Sequence, residues 1–304
     1  MSPLPAPDAA AALQALRYAA AQLGFSAAGV APADADQGDR LPRWLEEGCH
    51  GDMEWILRHL PARLNPQLVL PGVQRVVILT YEYARADART APGGIARYAQ
   101  GEDYHKLLAP KLADLDETLQ WYGGQQRCFA DSGPVSERFF AARAGLGWIG
   151  RNGLLIRPRG GSYCFLACIL TTLPLPVGEP MRPHCGKCRR CEQACPTGAL
   201  REGRCDARRC LAYWTIEAKS PMPPDIAAAL GNNLYGCDAC QAACPWNRTP
   251  APRVDPHLLM PAPLRTADLS HPDDAAFAAA FAASPIRRIG PAHLRANAAA
   301  LHRE

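Results

Sequence analysis

The spacing of the cysteines is the feature of this 304-residue chain that most directly indicates chemistry. Residues 185–196 read C-x2-C-x2-C-x3-C-P, and residues 237–245 read C-x2-C-x3-C-P. The first spacing is that of bacterial ferredoxins, in which three thiolates bind one [4Fe-4S] cluster and the fourth binds a second cluster. The sequence therefore predicts two [4Fe-4S] clusters that carry electrons.

The two predicted clusters share the two cysteine runs, because each run lends its last cysteine to the other cluster. The second run lacks the leading cysteine of the usual pattern, so Cys210 is predicted to complete its ligand set. The first predicted set is Cys185, Cys188, Cys191 and Cys244. The second predicted set is Cys195, Cys210, Cys237 and Cys240.

Two other uses of so many cysteines are less consistent with this pattern. A disulfide framework requires an oxidising compartment, and no secretory signal begins the chain. Structural zinc sites favour isolated C-x2-C pairs and have no need of the x2-x2-x3 spacing before proline. An absorption spectrum with iron and sulfide analysis distinguishes the three possibilities.

Positive charge is concentrated beside the cysteine runs. The formal net charge is only +4, yet residues 181–210 hold eight Lys or Arg against three acidic residues, a local net charge of +5. These cations could offset the negative charge of thiolate-bound clusters. They could equally bind a phosphate-rich partner such as RNA, which arginine suits through bidentate contacts. The sequence alone leaves both interpretations open.

The elements that must position these residues indicate an α/β fold. Asp8 is a candidate N-cap for a helix over residues 9–23, and helices are predicted at 44–60, 103–121 and from 132–134 to 145. Strands are predicted at 25–30, 75–83 and from 128, and residues 154–172 resemble a hairpin around Gly160 and Gly161. Helices are also predicted at 206–219, 273–283 and 291–301. No apolar stretch is long enough for a transmembrane helix.

Several longer blocks resemble the epoxyqueuosine reductases. The most specific are ADSGPVSERFFAARAGLGWIGRNG at 130–153, YAQGEDYHKLL at 98–108 and GNNLYGCDACQAACPWN at 231–247. Further matches are ARLNPQLVLPG at 62–72, GSYCFLACILTTLPL at 161–175, RRCLAYWTIE at 208–217 and SPIRRIG at 284–290. Together these blocks follow the family's order over nearly the whole chain.

The resemblance implies a fold, a reaction and partners. It implies a cobalamin-binding α/β domain like that of reductive dehalogenases at 1–175, a two-cluster ferredoxin-like domain at 176–250 and a short helical segment at 251–304. The implied reaction removes the epoxide oxygen of epoxyqueuosine in tRNA through reduced cobalamin. The cofactor is expected in its base-off form, and no D-x-H-x-x-G signature is present. Flavodoxin or ferredoxin is the expected electron donor of a monomeric, cytoplasmic enzyme.

The resemblance also implies roles for single residues. Asp131 matches the family's proton donor, although an aspartate before Ser-Gly-Pro is also an ordinary helix N-cap. The positions expected around cobalamin are Arg63, Asp131, Gly150, Leu155 and Leu166, with Arg97, Arg151 and Asn152 as further neighbours. The positions expected to contact RNA are Arg288, Arg295 and Asn297, for which a solvated helix face is an equal alternative.

Two other functions fit parts of the sequence. A reductive dehalogenase has the same architecture, but dehalogenases usually carry an export signal and a larger N-terminal domain. A non-catalytic electron carrier needs only the cysteine runs and leaves about 170 upstream residues without a purpose. Cobalamin content after reconstitution separates the carrier from the enzyme.

Overall fold

The fold is built on a four-stranded antiparallel sheet with helices on both faces. A computed structural model of the protein describes residues 8–83, 94–248, 255–259 and 273–301. The strand order is β1-β2-β6-β3. These strands are β1 (Ala27–Pro32), β2 (Arg75–Glu82), β3 (Gln126–Phe129) and β6 (Cys164–Thr171). The predicted mixed α/β fold is confirmed, and every pairing in this sheet is antiparallel.

Strand β2 shows why the sheet is covered on both sides. Seven of its eight residues are buried, as expected for a strand whose two faces both contact other elements. Val77 and Leu79 face a core formed with helices α1 (Ala9–Gln22) and α5 (Tyr104–Gln120). Val76 and Ile78 face a second core formed with α6 (Glu137–Arg143). The alternation of the strand thus divides the domain into two apolar layers.

The first helix confirms a local signal in the sequence. The Asp8 carboxylate accepts hydrogen bonds from the backbone N–H groups of Ala10 and Ala11, at 3.1 and 3.0 Å. These bonds satisfy donors that have no partner within the helix. Helix α5 also lies where it was predicted and continues through Pro110.

Two helix predictions in the first half of the chain were wrong in detail. The helix predicted at 44–60 is replaced by α2 (Arg40–Glu46), α3 (Glu54–Arg58) and α4 (Leu60–Leu64). Gly48 and Gly51 have φ angles of +68° and +58°, which end the first of these helices. Helix α6 begins at Glu137, after the loop of residues 131–136, and not at 132–134.

The predicted hairpin at 154–172 is also divided between two sheets. Strand β5 (Leu155–Ile156) pairs with β4 (Trp148–Ile149), whereas β6 joins the central sheet. A single bridge between Arg157 and Gly161 closes the turn between β5 and β6. The chain therefore reverses where predicted, but long-range pairing decides the partner of each strand.

The cysteine-rich segment and the C-terminus consist of short elements. They are α7 (Arg190–Gln193), β7 (Leu200–Arg201), β8 (Arg204–Cys205), α8 (Leu211–Ile216), α9 (Pro224–Ala228), α10 (Ala239–Ala242), α11 (Asp274–Ala280) and α12 (Gly290–Leu301). The helix predicted at 206–219 is a 3-10 turn at Ala207–Arg209 followed by α8. Both predicted C-terminal helices are present. None of the helices in the described residues is long and apolar enough to span a membrane.

Candidate active site

A cavity of about 1400 Å³ lies where the central sheet, α8, α10 and the C-terminal segment meet. Apolar side chains of β5 and β6 form one wall, including Leu155, Phe165 and Leu166. Polar side chains form another part of the lining, including Asp131 and Glu137. The cavity is large enough to accept a bulky cofactor together with a substrate group.

Asp131 lies in this cavity, in the loop between β3 and α6. Its φ angle is +60°, a backbone conformation that aspartate tolerates better than most side chains. The Tyr104 hydroxyl donates a hydrogen bond of 2.6 Å to Oδ2 of Asp131. The backbone N–H of Asp131 donates to Oε1 of Glu137 at 3.0 Å. Asp131 accepts no hydrogen bond from a backbone N–H of α6, whose N-cap is Ser136, so the N-cap alternative is not supported.

Three side chains around Asp131 have pKa values shifted from their ordinary ones. Burial, and then the nearby charge of Asp131, raises the pKa of Glu137 to about 8. Burial also raises the pKa of Tyr104, which keeps its hydroxyl protonated as a donor to Asp131. Burial lowers the pKa of Arg63, while Glu137 and Asp131 oppose that shift. Tyr104 and Glu137 therefore belong to the site, although neither was assigned a role from sequence.

The four predicted ligands of the second cluster all line the same cavity. They are Cys195, Cys210, Cys237 and Cys240. Burial raises the pKa of Cys237 to about 11, and the Cys210 and Cys195 thiols add to the shift, so these thiols lie close together. This arrangement places the second predicted cluster directly beside the cavity.

The first predicted set lies elsewhere, since none of its members lines the large cavity. Burial raises the pKa of Cys244, and its thiol neighbours Cys185 and Cys188 add to the shift. Cys185 lines a separate, smaller cavity of about 480 Å³. The fold thus brings Cys244 of the second run near Cys185 and Cys188 of the first.

All thirteen cysteines lie in the described residues and are free thiols, so the structure forms no disulfide among those residues. In the same part of the chain, no three His, Cys, Asp or Glu side chains are grouped closely enough to hold a single metal ion.

Cys205 is a functional candidate that the sequence did not reveal. Its thiol hydrogen-bonds to Cys210 and lies near Cys240 and Cys195. Its carbonyl oxygen accepts the indole N–H of Trp44 at 2.6 Å. A cysteine without a place in the ferredoxin spacing thus lies at the second predicted cluster, and only the turn between β8 and α8 brings it there.

Seven of the eight predicted cobalamin residues line one of two cavities, and Arg97 lines neither. Arg63, Asp131, Asn152, Leu155 and Leu166 line the large cavity. Two others, Gly150 and Arg151, line the smaller cavity. The backbone N–H of Arg97 donates to Asp238 at 2.8 Å, and its guanidinium lies 4.6 Å from the centre of the Tyr163 ring.

The large cavity fits the predicted cofactor. Nε of Arg63 and Nδ2 of Asn152 are buried and have no hydrogen-bond partner. Buried donors of this kind require an acceptor, and the amide groups of a corrin can supply one. The neighbouring apolar wall suits the face of the same ring.

The three predicted RNA residues differ in exposure. Arg288 lines the large cavity and forms an ion pair with Glu217. Arg295 forms an ion pair of 2.8 Å with Asp274 on α11. Asn297 is only 2% exposed and donates hydrogen bonds to the carbonyl oxygens of Thr215 and Leu234. This burial does not favour the predicted RNA contact of Asn297, whose amide holds α12 against the protein interior.

Comparisons with known proteins agree with this site. Residues 63–132 match the family model described as epoxyqueuosine reductase QueG, DUF1730, and residues 184–247 match a 4Fe-4S double cluster binding domain. An epoxyqueuosine reductase of Vibrio cholerae is 40% identical over 292 residues, which cover 91% of this chain and 79% of that protein.

Solved structures extend the likeness to three dimensions. An epoxyqueuosine reductase with an epoxyqueuosine-modified tRNA-Tyr stem loop is 28% identical, with a TM-score of 0.86 over 95% of this chain and 80% of that one. A catabolic reductive dehalogenase in complex with 3-bromo-4-hydroxybenzoic acid is 15% identical and has a TM-score of 0.54. The match covers 96% of this chain and 36% of the dehalogenase, so the two proteins share a fold. The chain belongs to the epoxyqueuosine reductase family.

Proposed function

We propose that this protein reduces the epoxide of epoxyqueuosine in tRNA to the alkene of queuosine, the last step of queuosine biosynthesis. The observation that carries the proposal is the combination of family membership with one cavity that joins Asp131 to the second cysteine set. A proton donor and a source of electrons then face the same space. The tRNA substrate is further supported by the structural relative that holds an epoxyqueuosine-modified stem loop.

The reaction requires both electrons and protons. Two C–O bonds of the epoxide break, a carbon–carbon double bond forms, and the oxygen leaves as water. Two electrons and two protons enter to balance these changes. The protein must therefore deliver protons to an oxygen atom that becomes basic as its bonds break.

We propose Asp131 as the acid that protonates this oxygen. Its side chain lies in the cavity, and its free oxygen Oδ1 points to no partner among the described residues, while Oδ2 accepts the Tyr104 hydroxyl. General acid catalysis of this kind typically contributes about 10²–10⁴-fold to a rate. Tyr104 positions the carboxyl group of Asp131 by donating a hydrogen bond to it, and Glu137 positions the backbone of Asp131 by accepting its N–H.

Base-off cobalamin is the proposed cofactor of the large cavity, where it supplies low-potential electrons to the substrate. Arg63 and Asn152 offer buried donors to it, and Leu155 and Leu166 offer apolar contact. Two [4Fe-4S] clusters, on the two cysteine sets, relay single electrons toward that cavity. We keep Gly150, Arg151 and Arg97 as proposed neighbours of the cofactor, and Arg288 and Arg295 as proposed RNA contacts.

The remaining features of the proposal concern the whole protein. We propose a monomeric, cytoplasmic enzyme with domains at 1–175, 176–250 and 251–304, which receives electrons from flavodoxin or ferredoxin. Family membership supports the tRNA-modifying role, and tRNA is a cytoplasmic substrate.

Analysis of tRNA nucleosides tests the function directly. A strain that lacks this gene is expected to accumulate epoxyqueuosine, and expression of this chain is expected to restore queuosine in its tRNA. Mass spectrometry of digested tRNA distinguishes the two nucleosides. Normal queuosine in the deletion strain, or epoxyqueuosine that persists after complementation with iron-loaded protein, would contradict the proposal.

A further inference from the structure

The two predicted cluster sites differ in their position relative to the large cavity. All four cysteines of the second set line the large cavity, whereas Cys185 of the first set lines the smaller, outer cavity. Helix α7, which carries Cys191 of the first set, packs against α10, which carries Cys240 of the second. The first set is therefore the one that does not border the cavity in which the substrate must react.

The loop that carries the first set is exposed. Gly186, Lys187, Arg189 and Arg190 are exposed, whereas the three cysteines between and beside them are half-buried. The backbone N–H of Cys188 donates to the carbonyl oxygen of Cys185 at 3.0 Å, so the loop is a tight turn around the thiols. A protein docked on this loop can approach the first cluster closely.

The surface around this loop carries unpaired positive charge. Arg182, Lys187, Arg190 and Arg201 are exposed, and none has an acidic partner within 4.0 Å among the described residues. Helix α7, which begins at Arg190, packs against β7, which ends at Arg201. We call these four residues the basic surface.

The acidic residues of this region offset little of that charge. Glu192 is only 11% exposed, and its carboxylate contacts Arg151 and Arg189 and accepts the backbone N–H of Gly203. Glu202, on the turn between β7 and β8, is exposed. The outer face of the loop is therefore positive.

We infer that the basic surface docks a small acidic electron-carrier protein of the flavodoxin or ferredoxin class. The inference rests on the proposed function, because it assigns the place where electrons enter that enzyme. Opposite charges on two partners accelerate their encounter and orient it. Electron-transfer complexes are small and transient, so a few cations around one exposed loop are sufficient.

The position of the basic surface favours a protein over the tRNA as its partner. The modified base of the tRNA must enter the large cavity, where Asp131 lies, and the first cysteine set does not line that cavity. An electron carrier has the opposite requirement, because it must approach the set nearest to the outside. Two of the four cations, Lys187 and Arg190, lie on the loop that carries that set.

Charge reversal tests this inference. The variant Lys187→Glu/Arg190→Glu is compared with Arg17→Glu/Arg127→Glu, a control with the same change of charge at exposed positions of α1 and β3. Oxidised, iron-loaded enzyme is mixed anaerobically with a reduced flavodoxin of net negative charge. Loss of cluster absorbance then gives the second-order rate constant of electron transfer at several salt concentrations.

We expect the test variant to react about 10-fold or more slowly than the wild type at low salt, whereas the control changes by less than about 2-fold. The difference is expected to shrink as salt rises, since salt screens exposed charges. The variant Arg182→Glu/Arg201→Glu, whose changes lie outside the cysteine loop, repeats the test if the first variant fails to retain iron. Equal rates for test and control variants at low salt overturn the inference.

Binding to RNA is measured in parallel. The affinity for an epoxyqueuosine-modified tRNA stem loop is expected to be the same in the wild type and the test variant. A fall in this affinity with an unchanged rate of reduction by flavodoxin overturns the inference and assigns the surface to RNA.

A neutral reductant separates this inference from the proposed function. Photoreduction by 5-deazariboflavin requires no docking and is expected to reduce the clusters of every variant equally. If the wild-type enzyme is reduced in this way and still leaves epoxyqueuosine unchanged, the result contradicts the proposed function. The rate constants with flavodoxin still decide the docking surface in that case, because they require no substrate.

Discussion

Asp131 combines a cavity-facing carboxyl group with a backbone conformation that few residues adopt. Its φ angle of +60° is maintained by the bond from its N–H to Glu137, and its side chain is held by the Tyr104 hydroxyl. Conformations of this kind persist where surrounding contacts specify them, and they are frequent at active sites. The residue is therefore both held in place and open to a substrate.

Asp131→Asn tests the proposed proton donor. Asparagine tolerates the same backbone conformation and can still accept the Tyr104 hydrogen bond, but its amide is not an acid. We expect turnover of epoxyqueuosine to fall by about 10²–10⁴-fold, with iron content, cobalamin content and tRNA affinity unchanged. Turnover close to that of the wild type, with these controls intact, excludes Asp131 as the acid.

Glu137→Gln tests the perturbed carboxyl group beside Asp131. The ordinary pKa of this group is 4.5, and the pKa in the folded protein is about 8. Between these two values the unfolded chain releases a proton that the folded protein retains, so rising pH destabilises the fold at this site. Below 4.5 and above 8 both states carry the same charge, and the effect is constant.

The measurement is the thermal unfolding midpoint of both proteins across a series of buffers. The midpoint of the wild type is expected to fall relative to that of the glutamine variant as pH rises from about 5 to about 8. Glutamine can still accept the N–H of Asp131, so the loop is expected to keep its shape. A difference between the two midpoints that does not vary with pH contradicts the predicted pKa.

At the scale of elements, a buried polar network joins the second cysteine run to the central sheet. Oδ1 of Asn247 accepts the backbone N–H of Ser162 at 2.7 Å, and its Nδ2 donates to the carbonyl oxygen of Gln241 at 2.7 Å. Nε2 of Gln241 in turn donates to the Tyr83 hydroxyl at 3.0 Å. A Cβ on Gly161 would lie 1.9 Å from Oδ1 of Asn247, so glycine is required at this approach. The network fixes α10, which carries Cys240, relative to the cavity.

Asn247→Ala is expected to weaken this connection. It leaves the N–H of Ser162 buried without a partner, at a cost of about 1–3 kcal/mol, whereas the carbonyl oxygen of Gln241 still accepts the backbone N–H of Cys244. We expect a lower unfolding midpoint and faster release of iron to a chelator, both measured anaerobically. Gln22→Ala, at an exposed position of α1, is the matched control and should change stability by less than about 0.5 kcal/mol. Equal iron release from the two variants contradicts the prediction.

At the scale of the whole molecule, the segment between α11 and α12 forms part of the cavity wall. Phe277, Phe281 and Leu294 form one apolar core with Leu234 and Tyr235. Tyr235 also lines the cavity, so this core supports the site from behind. The segment predicted from sequence as a possible RNA contact is thus also an integral part of the fold.

Phe281→Ala tests this structural role. The side chain is 1% exposed and packs against Phe277 with ring centres 5.1 Å apart, so its removal is expected to cost about 3–5 kcal/mol of stability. Trp121→Ala removes a larger aromatic side chain that is 87% exposed, and should cost less than about 0.5 kcal/mol. Thermal unfolding compares the two variants. Similar midpoints would show that α11 and α12 are not packed as part of the core.

Much of the protein could be predicted from local patterns. The cysteine spacing indicated a two-cluster iron-sulfur segment, and Asp8 and the apolar residues of β2 indicated their helix and strand correctly. Such signals are contained within a few consecutive residues. They therefore depend on backbone geometry and side-chain type, which the sequence specifies directly.

Tertiary structure alone decided which distant segments meet. Asp131, Tyr104, Glu137 and Arg63 come from three parts of the chain, and their grouping depends on how α4, α5 and α6 pack on the sheet. The same packing placed Cys205 beside Cys210 and buried Asn297. Contacts of this kind arise from long-range burial and hydrogen bonding, for which a linear sequence carries no local signal.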